Sequence, residues 1–169
     1  MTPEPMRAAV LVPLLAVDGE PHVVFIERSE DTPTHQGQIA FPGGRHEPAR
    51  DPSLLATALR EAEEEIGLRP ADVELLRALP EVRTLSSNFV ISPFVGRVRR
   101  SYVFRAEPRE VAAVFTVSVA SLREPAARQT VRRRLTTGEE IEVPAFIVGA
   151  RVIWGATERI TRELLRALS

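Results

Sequence analysis

The sequence predicts an α+β fold in which helices pack over a mixed β-sheet, an α/β/α sandwich. Three observations predict it. Short apolar runs bounded by turn residues outnumber helical patterns, the two helices with clear boundaries lie far apart in the chain, and no repeat, low-complexity tract or linker divides it. The 169 residues are therefore expected to form one domain, residues 1–169. A chain of this length removes roughly 70% of its unfolded surface from water, enough for a core without metal or disulfide staples.

In chain order, Ala8 to Val17 and His22 to Arg28 are apolar runs around Asp18-Gly19, the pattern of a β-hairpin. A polar, proline-punctuated stretch from Ser29 to Gln38 leads into Ile39-Ala-Phe-Pro-Gly-Gly44, whose paired glycines mark backbone that turns tightly or approaches a ligand. Asp51 as N-cap, Pro52 at the first helical position and Gly67 as the stop bracket a helix of about four turns, with Leu55, Leu59, Ala62 and Ile66 as its buried stripe. Val73 to Ala78, Val90 to Val98, Tyr102 to Arg105 and Ala113 to Val119 read as strands, and Pro93 suggests an edge or bulge in the second. Strands are also expected around Gln129 to Leu135 and Glu140 to Val148. A helix from about Ala156 to Leu168 closes the chain, with Ile160, Leu164, Leu165 and Leu168 on its apolar face and Trp154 in the core just before it.

Composition narrows the function. The chain is 44% hydrophobic and 27% charged, with 22 basic residues, all arginine, against 23 acidic ones for a net charge of −1. Such a balance gives no global field toward nucleic acid or anionic lipid, so neither is an expected partner. The absence of cysteine excludes a disulfide scaffold, a thiolate zinc site and a thiol nucleophile. Ala8 to Val17 is interrupted by Pro13 and is half the roughly 20 residues a bilayer span needs. Glu4 offsets Arg7 in what would be the charged region of a secretory leader, so the expected compartment is the cytoplasm. Oligomeric state is left open, a homodimer included.

The chemistry lies in Arg60-Glu-Ala-Glu-Glu-Glu-Ile-Gly-Leu68. At about 100° per residue, Glu61, Glu64 and Glu65 fall at roughly 0°, 300° and 40°, on one helix face, while Glu63 points elsewhere. Like charges at i,i+4 and carboxylates in a last turn each work against the helix by a few tenths of a kcal/mol to about 1 kcal/mol. A conflict retained by the sequence suggests a cation that offsets it, and oxygen-only ligands point to Mg²⁺ or Mn²⁺. Taken alone, a Glu-rich helix is ordinarily a solvated face, with Arg60 pairing Glu64 at i,i+4. The Phe-Pro-Gly-Gly turn upstream favours the metal reading, because Gly-Gly lets backbone approach a phosphate and magnesium commonly shares its coordination with substrate phosphates.

The run Gly44 to Leu68 resembles the Nudix box, G-x5-E-x7-R-E-U-x-E-E-x-G-U with U aliphatic. Its second half matches at every fixed position, with Ala62 as the small aliphatic one. Gly44, however, stands 16 residues before Arg60 where the pattern has 14, and Pro52 occupies the place of the first acid. A two-residue insertion accounts for both, with Glu47 or Asp51 as the nearest acids. Within the Nudix hydrolases, Arg28-Ser29 followed by Gly37-Gln-Ile-Ala-Phe-Pro-Gly-Gly44 resembles the coenzyme A pyrophosphatase signature L-L-T-x-R-S-x3-R-x3-G-x3-F-P-G-G, although Pro33 stands where that signature has arginine. Leu79-Pro80, Thr84, Ser86, Phe89, Pro93 to Gly96 and Ile153 to Thr157 are also similar to that subfamily.

The resemblance implies a Nudix fold and hydrolysis of the phosphoanhydride of coenzyme A, a small-molecule substrate, to 3′,5′-ADP and 4′-phosphopantetheine. It implies Glu61, Glu64 and Glu65 as ligands of Mg²⁺ or Mn²⁺, with Glu64 alternatively a base. Arg60 would orient a catalytic glutamate. Glu110, ahead of the apolar Val111 to Val119, resembles the acid that many Nudix enzymes supply from outside the box, and reads otherwise as a solvent-exposed loop residue. Arg28, His35, Gly37, Gln38, Phe41, Gly43 and Gly44 are the implied substrate-binding positions. Two other readings compete: a Nudix hydrolase of ADP-ribose or a dinucleotide, and a catalytically silent ligand sensor on the same fold. The cluster Arg132-Arg-Arg134 reads as a solvated hairpin face or, more sharply, as a contact for a 3′-phosphate.

Overall fold

The computed structural model describes residues 3–30, 37–84, 87–99, 101–135 and 137–169. Strands β1 (Met6–Val17) and β2 (Glu20–Arg28) form the expected hairpin, closed by Asp18 and Gly19 with φ of 51° and 79°. Both central residues of this two-residue turn are left-handed, which matches the twist of the flanking strands. β3 (Ile39–Ala40) continues beside β2, and β4 (Gly43–Arg45) crosses to pair with β1. On the other side of β1 lies β7 (Phe89–Val98), in parallel, flanked by the antiparallel β5 (Val73–Ala78) and β6 (Val82–Arg83). β8 (Val111–Ser118) pairs with the outer side of β2 and completes a mixed eight-stranded sheet. β9 (Arg128–Arg134), β10 (Glu140–Val148) and β11 (Arg151–Ile153) form a separate antiparallel sheet.

Helices cover both faces of the large sheet, so the α+β sandwich is the fold. Alternation along β1 and β2 sends Leu11, Val24 and Ile26 toward α1 (Leu54–Ile66), where they pack on Ala58, Ala62 and Ile66. Val12, Val23 and Phe25 face the opposite way, onto Phe146 and Ile153 of the small sheet, Leu122 of α2 (Val119–Arg123), and Ile160 and Leu164 of α3 (Gly155–Ala167).

Several local expectations give way to tertiary structure. Helix α1 is capped by Ser53, whose Oγ accepts from Ala56 N–H at 3.0 Å, while Asp51 turns inward to charge-assisted bonds that a cap position does not offer. The buried stripe runs through Ala58, Ala62 and Ile66, with Leu55 and Leu59 only half-buried, because small residues let the helix lie close on the sheet. Tyr102 to Arg105 is not a strand. Its Tyr102 Oη reaches the Gly67 carbonyl at 3.0 Å and Arg105 N–H donates to the Ile66 carbonyl at 2.9 Å, so the segment satisfies the open carbonyls of the helix end. Pro93 lies on an inner strand, opposite the break between β5 and β6, where its carbonyl accepts from Leu79 N–H and its missing N–H costs no ladder bond. Trp154 is half-buried, with the Arg133 guanidinium 5.7 Å from its ring centroid. α2, β6 and β11 are too short to leave a readable period.

Candidate active site

Helix α1 places Glu61 and Glu65 one turn apart on the side facing the Gly43-Gly44 segment. Gly43 belongs to β4, where a Cβ would run into the Ala9 carbonyl, and its N–H donates to Glu65 Oε1 at 2.8 Å. A Cβ on Gly44 would sit 2.7 Å from the Glu61 carboxyl carbon. Gly43 is thus required by the close approach of β1, and Gly44 by the Glu61 carboxylate. Arg28, at the end of β2, donates from Nη1 to Glu65 Oε2 at 3.3 Å.

The third carboxylate comes from the chain that leaves the helix. Glu107 N–H donates to the Glu65 carbonyl at 2.9 Å, a turn follows in which Glu110 and Val111 N–H both donate to the Glu107 carbonyl, and Ser29 N–H donates to the Glu110 carbonyl. That chain of backbone bonds ties Glu110 between the end of α1 and the end of β2. One carboxylate oxygen each from Glu61, Glu65 and Glu110 lies within 4.8 Å of the others. Glu110 is exposed and lies in a turn, as the loop reading has it, and the tether that brings it to the cluster joins residues far apart in sequence.

Burial above all, with the charges of Glu61 and Glu110 adding to it, raises Glu65 from its ordinary 4.5 to about 7 against the pull of Arg28 and the Gly43 N–H. Glu61 is also pushed up, first by burial, with Arg60 opposing and Glu64 and Glu110 adding to it. Three converging carboxylates with two raised affinities for a proton form an anionic pocket short of positive charge. An all-oxygen donor set of this kind fits a hard divalent cation.

Glu64 stands apart from this group. It is 45% exposed, and its carboxylate lies 3.0 Å from Arg50 Nη2 and 3.2 Å from Arg60 Nη1. Arg60 itself is held by Asp51, which accepts from Nε at 2.8 Å and from Nη2 at 2.9 Å, leaving Nη1 for Glu61 at 3.1 Å and Glu64. Asp51, rather than Glu47, is thus the acid that engages the arginine of the helix; Glu47 pairs with Arg50 at the surface. Thr57 Oγ1 donates to Asp51 Oδ2 at 2.8 Å, so the 2.7 Å contact between Thr57 Oγ1 and His46 Nδ1 requires the hydrogen on the imidazole nitrogen. Thr57 and His46 carried no sequence signal, because their role appears only once Asp51 turns inward.

Of the other anticipated positions, Gly37 and Gln38 pair by backbone with Arg28, as Gly37 N–H donates to the Arg28 carbonyl and Arg28 N–H to the Gln38 carbonyl. Phe41 is buried and stacks on Phe25, on the far side of the sheet from the carboxylates. His35, Pro33 and Ser86 lie outside the described residues. Arg132 and Arg134 are exposed and pair with Glu140 and Glu142, as a solvated hairpin face would.

A mixed sheet holds a glycine pair against a helix that carries an arginine-supported carboxylate cluster. Residues 5–138 match the model of the NUDIX domain. An uncharacterized Nudix hydrolase, NudL, of Photorhabdus laumondii is 33% identical over 160 residues, covering 94% of this chain and 82% of its own length. Among solved structures, a MutT/nudix family protein from Enterococcus faecalis aligns with a TM-score of 0.66 and 17% identity over 99% of this chain and 64% of its own. The NUDIX domain of Shewanella oneidensis NrtR, complexed with ADP ribose, aligns at 0.55 and 18% identity over 70% of this chain and 76% of its own. The chain belongs to the Nudix hydrolase family.

Proposed function

We propose that this protein hydrolyses the phosphoanhydride bond of coenzyme A to 3′,5′-ADP and 4′-phosphopantetheine, with Mg²⁺ or Mn²⁺ as cofactor and residues 1–169 acting as one domain. The observation that carries the hydrolytic part is the convergence of Glu61, Glu65 and Glu110 beside the bare backbone of Gly43-Gly44. The coenzyme A part rests on the likeness of Arg28-Ser29 and Gly37 to Gly44 to the signature of that subfamily.

In this reading Glu61, Glu65 and Glu110 hold the cation, with Glu64 a further ligand or base once released from its arginines. When bound, the cation neutralises the diphosphate and lowers the pKa of water so that it attacks at neutral pH. Arg60, fixed by Asp51, keeps Glu61 in place with Nη1. Arg28 is the group that pairs Glu65 in the absence of metal, and its position at the mouth of the Gly37 to Gly44 segment suits it to a phosphate oxygen afterwards. Phosphoanhydride hydrolysis asks little covalent help of a protein beyond such positioning and charge.

A second reading, hydrolysis of ADP-ribose or a related nucleoside diphosphate, is favoured by the fold shared with a domain that binds ADP ribose and by Pro33 at the signature's arginine position. A hydrolysis panel of coenzyme A, ADP-ribose and dinucleoside polyphosphates, run with Mg²⁺, with Mn²⁺ and with EDTA, separates the readings. Coenzyme A is expected to turn over far faster than ADP-ribose and only with metal. Equal kcat/KM for the two overturns the substrate assignment, and no turnover of any substrate favours a silent sensor.

A further inference from the structure

On the face of the large sheet turned away from α1, Phe41, Phe25 and Phe115 form a stacked row with ring centroids 4.9 and 5.8 Å apart. The central carbon of the Arg151 guanidinium, at the start of β11, lies 3.9 Å from the centroid of Phe115. Glu27 Oε1 stands 3.8 Å from Arg151 Nε, an ion pair too long for a hydrogen bond. That Nε is shielded from solvent and has no hydrogen-bond partner among the described residues. The two side chains nevertheless remain 39% and 35% exposed. A guanidinium plane backed by a phenyl ring, with an unsaturated carboxylate at its edge, is a surface for a planar, amine-bearing π-system. The same carboxylate disfavours an anion there.

The shelf and the carboxylate cluster lie on opposite faces of the large sheet, near the same end of β2. Glu27 precedes Arg28, the partner of Glu65, and the register shift between the two re-aims the end of β2. Glu27 lies opposite Ala113 on β8, three residues beyond Glu110, or about 10 Å along an extended chain.

We propose that Arg151, Phe115 and Glu27 form a nucleobase shelf, in which the base stacks on the guanidinium and its exocyclic amine donates to Glu27. The shelf selects adenine over a base with a carbonyl at that position, and it rests on the reading of the protein as a hydrolase of nucleoside diphosphate derivatives.

Calorimetric binding of 5′-AMP and 5′-IMP, which exchange that amine for a carbonyl, tests the shelf without requiring turnover. The wild type is expected to bind AMP at least about tenfold more tightly than IMP. Arg151→Gln and Arg151→Lys should each weaken AMP about tenfold, because lysine keeps the charge but not the plane. Glu27→Gln, whose amide can face either base, should bring AMP and IMP within about twofold. In turnover assays Arg151→Gln should raise KM and leave kcat within about twofold. Equal binding of AMP and IMP by the wild type, no AMP binding, or AMP binding indifferent to Arg151→Gln each overturns the proposal. AMP selectivity in a protein that hydrolyses nothing supports the shelf and sinks the hydrolase reading instead.

Discussion

Asp51 and Glu65 are both carboxylates with 2% of the side chain exposed, both are anchored around α1, and their proton affinities move in opposite directions. The hydrogen bonds from Arg60 hold Asp51 well below the usual carboxylate range despite its burial, with further help from Thr57 Oγ1 and Glu47 N–H. Glu65 receives one backbone N–H and a longer contact from Arg28, and it faces two more carboxylates. Burial therefore costs little where donors saturate the anion and a great deal where they do not. The molecule completes the charge of Asp51 internally and leaves the cluster of Glu61, Glu65 and Glu110 deficient in positive charge.

The largest expected effect falls on the saturated partner. Asp51→Ala removes the group that neutralises a largely buried Arg60 and should cost about 3 kcal/mol in urea unfolding at pH 7. The sign follows from the depressed pKa: the stabilisation is present above the ordinary value of 3.8 and is lost as pH falls below it, so wild type and variant should converge in acid. A variant as stable as wild type at pH 7 would show that Arg60 finds equal company in Glu61 and Glu64.

Glu65→Gln tests the other half. At saturating Mg²⁺, kcat should fall at least about a hundredfold, or about 2.7 kcal/mol in barrier. In EDTA the same substitution should stabilise. Since the folded carboxyl lies at about 7 against an ordinary 4.5, the folded protein keeps a proton that the unfolded chain releases, so metal-free wild type loses stability as pH rises through that window and levels off above it. The glutamine variant should be more stable by about 1 kcal/mol at pH 8 and should lose that advantage by pH 5. Wild-type turnover would remove Glu65 from the metal site.

The contrast also separates what the sequence displays from what it hides. Glu61 and Glu65 are legible because one helix carries both at i,i+4, and Gly43-Gly44 because bare backbone has few other uses. Asp51 reads as a helix cap because Pro52 follows it, and only the folded loop shows that Arg60 outbids the helix end for its oxygens. Tyr102 to Arg105 alternates like a strand, yet its donors go to a helix terminus that no local pattern can announce. Glu110 joins the cluster through backbone bonds to Glu107 and Ser29, a tether written across three separate segments. As acids of the site, Asp51 and Glu110 are named in the sequence only through the family resemblance, because the hydrogen bonds that place them join segments with no local pattern in common.

Glu64 sharpens the comparison, since it is an acid of the same helix that is neither buried nor in the cluster. If it turns toward the metal as a further ligand, Glu64→Gln should lower kcat about tenfold, about 1.4 kcal/mol, and raise the Mg²⁺ concentration that gives half-activity. An exposed surface pair would change neither.

The smallest effect is expected at Arg50, which is 54% exposed and holds Glu64 at 3.0 Å and Glu47 at 3.2 Å. Exposed pairs of this kind contribute little, so Arg50→Gln should reduce stability by no more than about 0.5 kcal/mol. Its kinetic sign carries the information. If Glu64 must leave Arg50 to reach the cation, removing the guanidinium frees the carboxylate, and the Mg²⁺ concentration for half-activity should fall by a factor of about two, or about 0.4 kcal/mol. If Arg50 instead positions Glu64 for its task, the same substitution should raise that concentration while leaving stability as predicted. A metal titration of activity at low ionic strength, where surface charge is least screened, reads the sign directly.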